Sequence, residues 1–120
     1  MKSTFFTHKG KQMIYCEYGG FGNDLAGLAE EVTAVDDWIC SQPPDSVLSV
    51  ANVAGSYPTP AALTLMEKST TRTKPYIRKQ AILGLSGERT VLARIVTYVS
   101  GLDMKLFDDL ERAKDWLAED

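Results

Sequence analysis

Little in this chain points to redox, metal or membrane chemistry. Its two cysteines, Cys16 and Cys40, fall in segments that read as a strand and a helix end. They have no CxxC spacing and no histidine near either, which excludes a disulfide framework and a spaced zinc site, and leaves reduced, structural thiols as the expectation. A metal centre needs several His, Cys, Asp or Glu side chains converging, and no such pattern is present, so neither metal nor cofactor is expected. The single histidine, His8, lies in the first predicted strand with no acid placed to orient it, which argues against a Ser-His-acid triad. No apolar run approaches the roughly 20 residues of a membrane span. The opening MKSTFFTHKGK mixes polar and basic residues with only two phenylalanines and lacks the apolar stretch of a signal peptide. A cytoplasmic protein with no membrane partner is expected.

Charge of one sign is also missing in places. Residues 17–45 hold seven acids and no base, whereas residues 68–94 hold seven bases against the single Glu88. The net charge of -3 argues against nucleic acid as a partner. The segregation suits docking of an acidic partner, or a homodimer in which two copies meet acid to base. Solvated helix faces are the plainer account.

What is present is one domain's worth of chain. At 120 residues, folding removes roughly two thirds of the unfolded chain's surface from water, and 44% hydrophobic with 24% charged residues is ordinary for a soluble globular domain. STFFTHK and QMIYCEY are short aromatic and β-branched runs separated by Gly10, which predicts a β-hairpin. From Asp24 to Ser41, Leu25, Leu28, Val32, Val35 and Ile39 recur at steps of three and four, the apolar stripe of an amphipathic helix. Glu30, Glu31 and Asp37 fall off that stripe and are expected in water.

QPPD ends this helix, since proline lacks the backbone donor and disfavours helical geometry in the residue before it. SVLSVANV reads as a strand. Thr59 and Pro60 then make a helix start, hydroxyl cap followed by a proline whose missing N–H costs nothing in the first turn, with Leu63 and Met66 facing inward. Tyr76 to Leu85 reads as the next strand, and its AILGL, apolar on both faces, suits the centre of a sheet. Ser86 opens another predicted helix with Glu88 in its first turn and a stripe of Val91, Leu92, Ile95, Val96 and Val99. MKLF is the last short strand. Asp108 with Glu111 has capping-box spacing before a final helix whose apolar face is Leu110, Ala113 and Leu117.

The expected order is thus two strands and then four helices alternating with three more strands. It implies a single α/β domain with a mostly parallel five-stranded sheet and one antiparallel strand from the hairpin. Candidate sites in such sheets lie at the carboxyl ends of the strands, which singles out the loops NVAGSYPTP and GLSGER.

SQPPDSVLSVANVAG, TKPYIRKQAILGLSG and KLFDDLERAKDWL, in this order and spacing, resemble small bacterial proteins of the STAS superfamily, the fold of anti-sigma-factor antagonists, in a branch often labelled STAS/SEC14-like. The resemblance runs from about Gln12 to the end of the chain. It implies a STAS-like fold and a non-enzymatic regulator that binds a kinase-like protein partner and is switched by phosphorylation of a serine in the turn after the strand SVLSVANV. In this sequence that turn offers Ser56 and Thr59. It has no Asp-Ser pair; Asn52 stands near the place of the acid, and Tyr57 and Pro58 follow the serine.

Each candidate site also has a simpler account. A phosphate on Ser56 would sit near a helix N-terminus and gain from its dipole, but Gly55 and Thr59 also make an ordinary turn and cap. GLSGER departs from the G-x-S-x-G nucleophile elbow, because Glu88 stands in the place of the last glycine, and it lacks the GK[ST] ending of a phosphate loop. What remains there is an anion-friendly helix start formed by Ser86, Gly87 and Arg89. A small-molecule module for an anionic or lipid-like ligand is the alternative reading, since related folds include lipid-transfer modules.

Overall fold

Eight elements follow one another in the computed structural model, which describes residues 1–57, 59–84 and 104–119. They are β1 (Thr4–His8), β2 (Lys11–Glu17), α1 (Leu25–Ile39), β3 (Val47–Asn52), α2 (Pro60–Thr73), β4 (Ile77–Leu83), β5 (Met104–Phe107) and α3 (Leu110–Ala118). The hairpin forms because Lys9 and Gly10 both take positive φ, 51° and 79°, the two-residue turn whose twist matches that of the flanking strands. β1 pairs antiparallel with β2, and the remaining neighbours pair in parallel in the order β1-β2-β3-β4-β5. The α/β class and the mixed five-stranded sheet are therefore as expected. Three helices stand among the described residues against the four expected; the helix expected from Ser86 through Val99 lies outside them.

Period-two alternation, reset once in β4 by the register shift after Ile77 where Val47 pairs with Ile77 and Leu48 with Lys79, divides the strands between two cores. Ile14, Cys16, Tyr18, Val47, Ala51 and Ile77 face α1 and α2, where Leu28, Val32, Val35, Ile39 and Ala62 complete one cluster. Met13, Leu48, Val50, Ala81 and Leu83 face the other way, against Ala113 and Leu117 of α3. The centre of the sheet is β3 rather than the strand at 77–83, and five of its six residues are buried. Ser49 hides this in the sequence: a small polar residue that interrupts the apolar run is fully buried all the same.

Helix boundaries follow local chemistry. Asp24 caps α1 by accepting from the Gly27 amide, and Thr59 caps α2 by accepting from Ala62 with Pro60 in the first position. α3 is capped by Asp109, one residue later than the expected Asp108, its carboxylate accepting from the Glu111 amide at 2.9 Å. Two positions of α1 depart from its stripe. Leu25, the first residue of the helix, is 39% exposed, while Glu31, expected in water, is buried.

Candidate functional site

The turn after β3 is held by a dense set of bonds to the loop after β2. The Asn52 side chain starts it: Oδ1 accepts from the Ala54 amide at 3.1 Å, and Nδ2 donates to Glu17 Oε1 at 3.3 Å. Ala54 then accepts from Gly20 at 2.8 Å, Gly55 accepts from Gly22 at 2.9 Å, and Tyr57 donates to Gly22 at 3.0 Å. Two short backbone segments thereby extend the sheet past its last strand residues as an isolated parallel bridge between Gly22 and Ser56. The turn also rests on the end of β4. A Cβ on Gly84, whose φ is 83°, would lie 2.6 Å from the Ala54 nitrogen, so only glycine lets β4 pass beneath Ala54.

Ser56 joins the two loops through its side chain. The hydroxyl donates to the Tyr18 carbonyl at 2.6 Å and accepts from the Phe21 amide at 3.2 Å. Its proton points at a carbonyl, and among the described residues no acid or base side chain bonds it to activate it as a nucleophile. Thr59 is likewise engaged, with Oγ1 accepting from Ala62 at 3.2 Å. The two hydroxyls expected in one site are therefore both structural in this state, one a staple between loops and the other a helix cap. Tyr57 between them is 55% exposed, and its hydroxyl has no partner among the described residues. Ser86, Gly87 and Arg89 lie outside the described residues.

Buried polar groups gather elsewhere, between β2, α1 and α2. Glu31 binds the start of the chain: one carboxylate oxygen accepts from the Lys2 amide at 2.8 Å, the other from the Ser3 amide at 2.8 Å and the Ser3 hydroxyl at 2.6 Å. Burial pulls its pKa up, but the bonds from Ser3 and Lys2 and the nearby N-terminal charge more than offset this and leave it below the ordinary value. Asp36 accepts from Ser69 of α2 at 2.8 Å. Burial is the main reason its pKa is pushed up to about 6, aided by Asp37 and opposed by the Ser69 bond and Arg72. Burial likewise pushes the Cys16 thiol up to about 12 and holds the Tyr18 phenol well above its ordinary range, so both stay neutral. The Cys16 thiol is buried and the Cys40 thiol half-buried, neither in a disulfide.

The sequence carried a signal for this cluster. Glu31 lies three after Leu28 and four before Val35, and Asp36 lies four after Val32 and three before Ile39. Both acids share rows with core residues. His8 was also misjudged, because its acid is 107 residues away: Nε2 lies 2.8 Å from Asp115 Oδ1, and Lys9 is 3.2 Å from the same oxygen.

Charge segregation is partly closed within the chain, since α1 and α2 lie side by side and Arg72 donates to Asp37 at 2.7 Å. A shallow groove of about 400 Å³ along α2 is lined, among the described residues, by Thr64, Glu67, Lys68, Thr71 and Arg72. Among the described residues no helix is long and apolar enough to cross a membrane, and no cluster of three or more His, Cys, Asp or Glu side chains is arranged to hold a metal ion. No protein-family model matches the chain, and no curated protein matches it.

Proposed function

We propose that this is a non-enzymatic regulatory domain of STAS-like fold whose recognition edge is the turn Ala54–Thr59, read by a protein partner. The observation that carries the reading is the presentation of Tyr57. A large aromatic with its hydroxyl unpartnered among the described residues projects from a backbone fixed on both sides. Rigid exposed aromatics supply contact area at low entropic cost and anchor protein interfaces. The resemblance of the sequence to anti-sigma-factor antagonists supports a kinase-like partner, and the two engaged hydroxyls of the turn support an absence of chemistry at this edge.

The same geometry says how modification would act. Phosphorylation of Ser56 removes the proton given to Tyr18 and sets phosphate oxygens against that carbonyl, so the charge would part the two loops. The switch is thus a release of the staple, and Thr59 keeps α2 capped in both states.

Affinity capture from the source organism tests this reading. The wild-type chain is expected to retain a specific protein that Tyr57→Ala retains at least tenfold less well, about 1.4 kcal/mol or more of binding. Ser56→Asp is expected to change retention in the same assay while leaving the fold intact. A wild-type chain that retains nothing, but is stabilised in a thermal-shift screen by an anionic or lipid-like metabolite, would overturn the reading in favour of a small-molecule module.

A further inference from the structure

The outer edge of β1 presents backbone groups with no partner among the described residues. The two-residue turn at Lys9–Gly10 makes His8 and Lys11 a hydrogen-bonded pair, and alternation along the ladder makes Phe6↔Met13 and Thr4↔Tyr15 the next ones. The N–H and C=O groups of Phe5 and Thr7 therefore point away from β2, and no described residue reaches them. Proteins commonly blunt such an edge with proline, a bulge or charge within the strand. Here the register is unbroken over the five pairs and the residues are Thr, Phe, Phe, Thr and His. Phe5 is 41% exposed beside Trp38, at 4.7 Å between ring centroids.

We propose that β1 is a pairing edge for a second copy of this chain, the two β1 strands running antiparallel about a two-fold axis through Phe6 and joining two five-stranded sheets into one. The occupant follows from self-complementarity. With Phe6 opposite Phe6 of the second copy, Phe5 stands opposite Thr7 and Thr7 opposite Phe5, so each outward N–H meets an outward C=O. Other registers fail on specific groups. A shift of one residue sets Phe5 against Phe6, whose backbone already bonds β2. A shift of two requires either Ser3, whose amide is held by Glu31 at 2.8 Å, or Lys9, which is turned away by its φ of 51°.

The axial pair is of the non-hydrogen-bonded kind, where strands approach most closely, so the two Phe6 rings meet on the α3 side. Each ring has Lys114 Nζ 5.1 Å from its centroid, a cation–π contact beside the pair. An isologous contact of this kind closes at two copies. It is distinct from the turn at Ala54–Thr59, which stays open.

Sedimentation equilibrium of the full chain, combined with amide exchange, tests this. As concentration rises the mass is expected to approach twice 13.2 kDa, and exchange at Phe5 and Thr7 to slow with the same concentration dependence. Thr7→Pro deletes an outward N–H without touching the β1–β2 ladder, and is expected to keep the circular dichroism of the wild type while remaining monomeric. If that variant does not fold, the exchange of the wild-type chain decides alone. The proposal is overturned by a wild-type chain that stays monomeric at every concentration, by a dimer whose Phe5 and Thr7 amides exchange unchanged, or by open-ended growth, which signals pairing of β1 with the other edge of the sheet.

Discussion

The two faces of the sheet are built from different materials. On one, α1 and α2 cover an apolar core threaded with polar groups: Glu31 on the chain's start, Asp36 on Ser69, the neutral Cys16 and Tyr18, and the Ser49 hydroxyl, which has no partner among the described residues. On the other, α3 lies on Met13, Leu48, Val50, Ala81 and Leu83 with no buried charged side chain among the described residues beneath it, and its polar contacts run around the rim. There Lys79 donates to the carbonyls of Trp116 and Glu119, and Lys11 to that of Ala118, cations placed at the negative end of the helix dipole. The first face has its titrating groups inside and the second has them outside. Stability on the first should follow pH, and on the second chiefly packing, with only a small, screened pH dependence at the rim.

The largest effect expected is on the apolar face. Leu117 is fully buried in the α3 contact, so Leu117→Ala should cost about 2–5 kcal/mol in denaturant unfolding, with little change in that loss between pH 5 and 8. A loss that varied strongly with pH would break the distinction between the faces.

Glu31→Ala comes next, at about 2–3 kcal/mol, because it strands two backbone amides and a hydroxyl that now share one carboxylate. A Glu pKa held below its ordinary value contributes stability that is complete above that ordinary value and is lost as pH falls through the folded one. The wild type should therefore lose this contribution on acidification and the variant should have none to lose.

Asp36 works in the opposite sense. Its folded pKa is raised from 3.8 to about 6, so the folded chain holds more protons than the unfolded one in that window, and stability falls as pH rises through it. Asp36→Asn keeps an acceptor for Ser69 and removes the charge. It should flatten the pH profile there and stabilise the chain at pH 7 by on the order of 1 kcal/mol. A variant that is less stable at pH 7, with the profile unchanged, would show that the carboxylate is well accommodated.

The smallest effect belongs to Asp115→Asn at the rim. The bonds from His8 and Lys9 hold the Asp115 pKa below its ordinary value, so this contribution too is present above that value and fades in acid. Because the group is exposed and screened, the unfolding midpoint should shift less than in any of the other three variants and should cease to shift in high salt.

These contrasts bear on how far the sequence could be read. Strands and helices were legible because period two and period 3.6 are local, and caps such as Thr59–Pro60 announce themselves. The interior of the α1–α2 face was legible only in the rows that Glu31 and Asp36 share with core residues, because an acid among apolar neighbours reads as a surface residue until something buried is there to bond it. For Glu31 that is the backbone of Lys2 and Ser3, and for Asp36 it is Ser69. Local pattern cannot show a partner 28 or 33 residues away. The turn was legible in part: Gly55 and Thr59 took their expected roles, and Ser56 proved to bind Tyr18 and Phe21 across a loop that no spacing rule connects to it.

The sheet order β1-β2-β3-β4-β5 is also the order of synthesis. Each strand, as it leaves the ribosome, meets a neighbour that is already out, so the sheet can grow from one side without waiting for distant sequence. The α3 face does have to wait. Met13, Leu48, Val50, Ala81 and Leu83 stay bare until α3 emerges and Asp115 reaches back 107 residues to His8. At roughly 5–20 residues per second, that leaves an oily surface exposed for several seconds on every nascent chain. The emergence of α3 is thus the event that closes this face of the sheet.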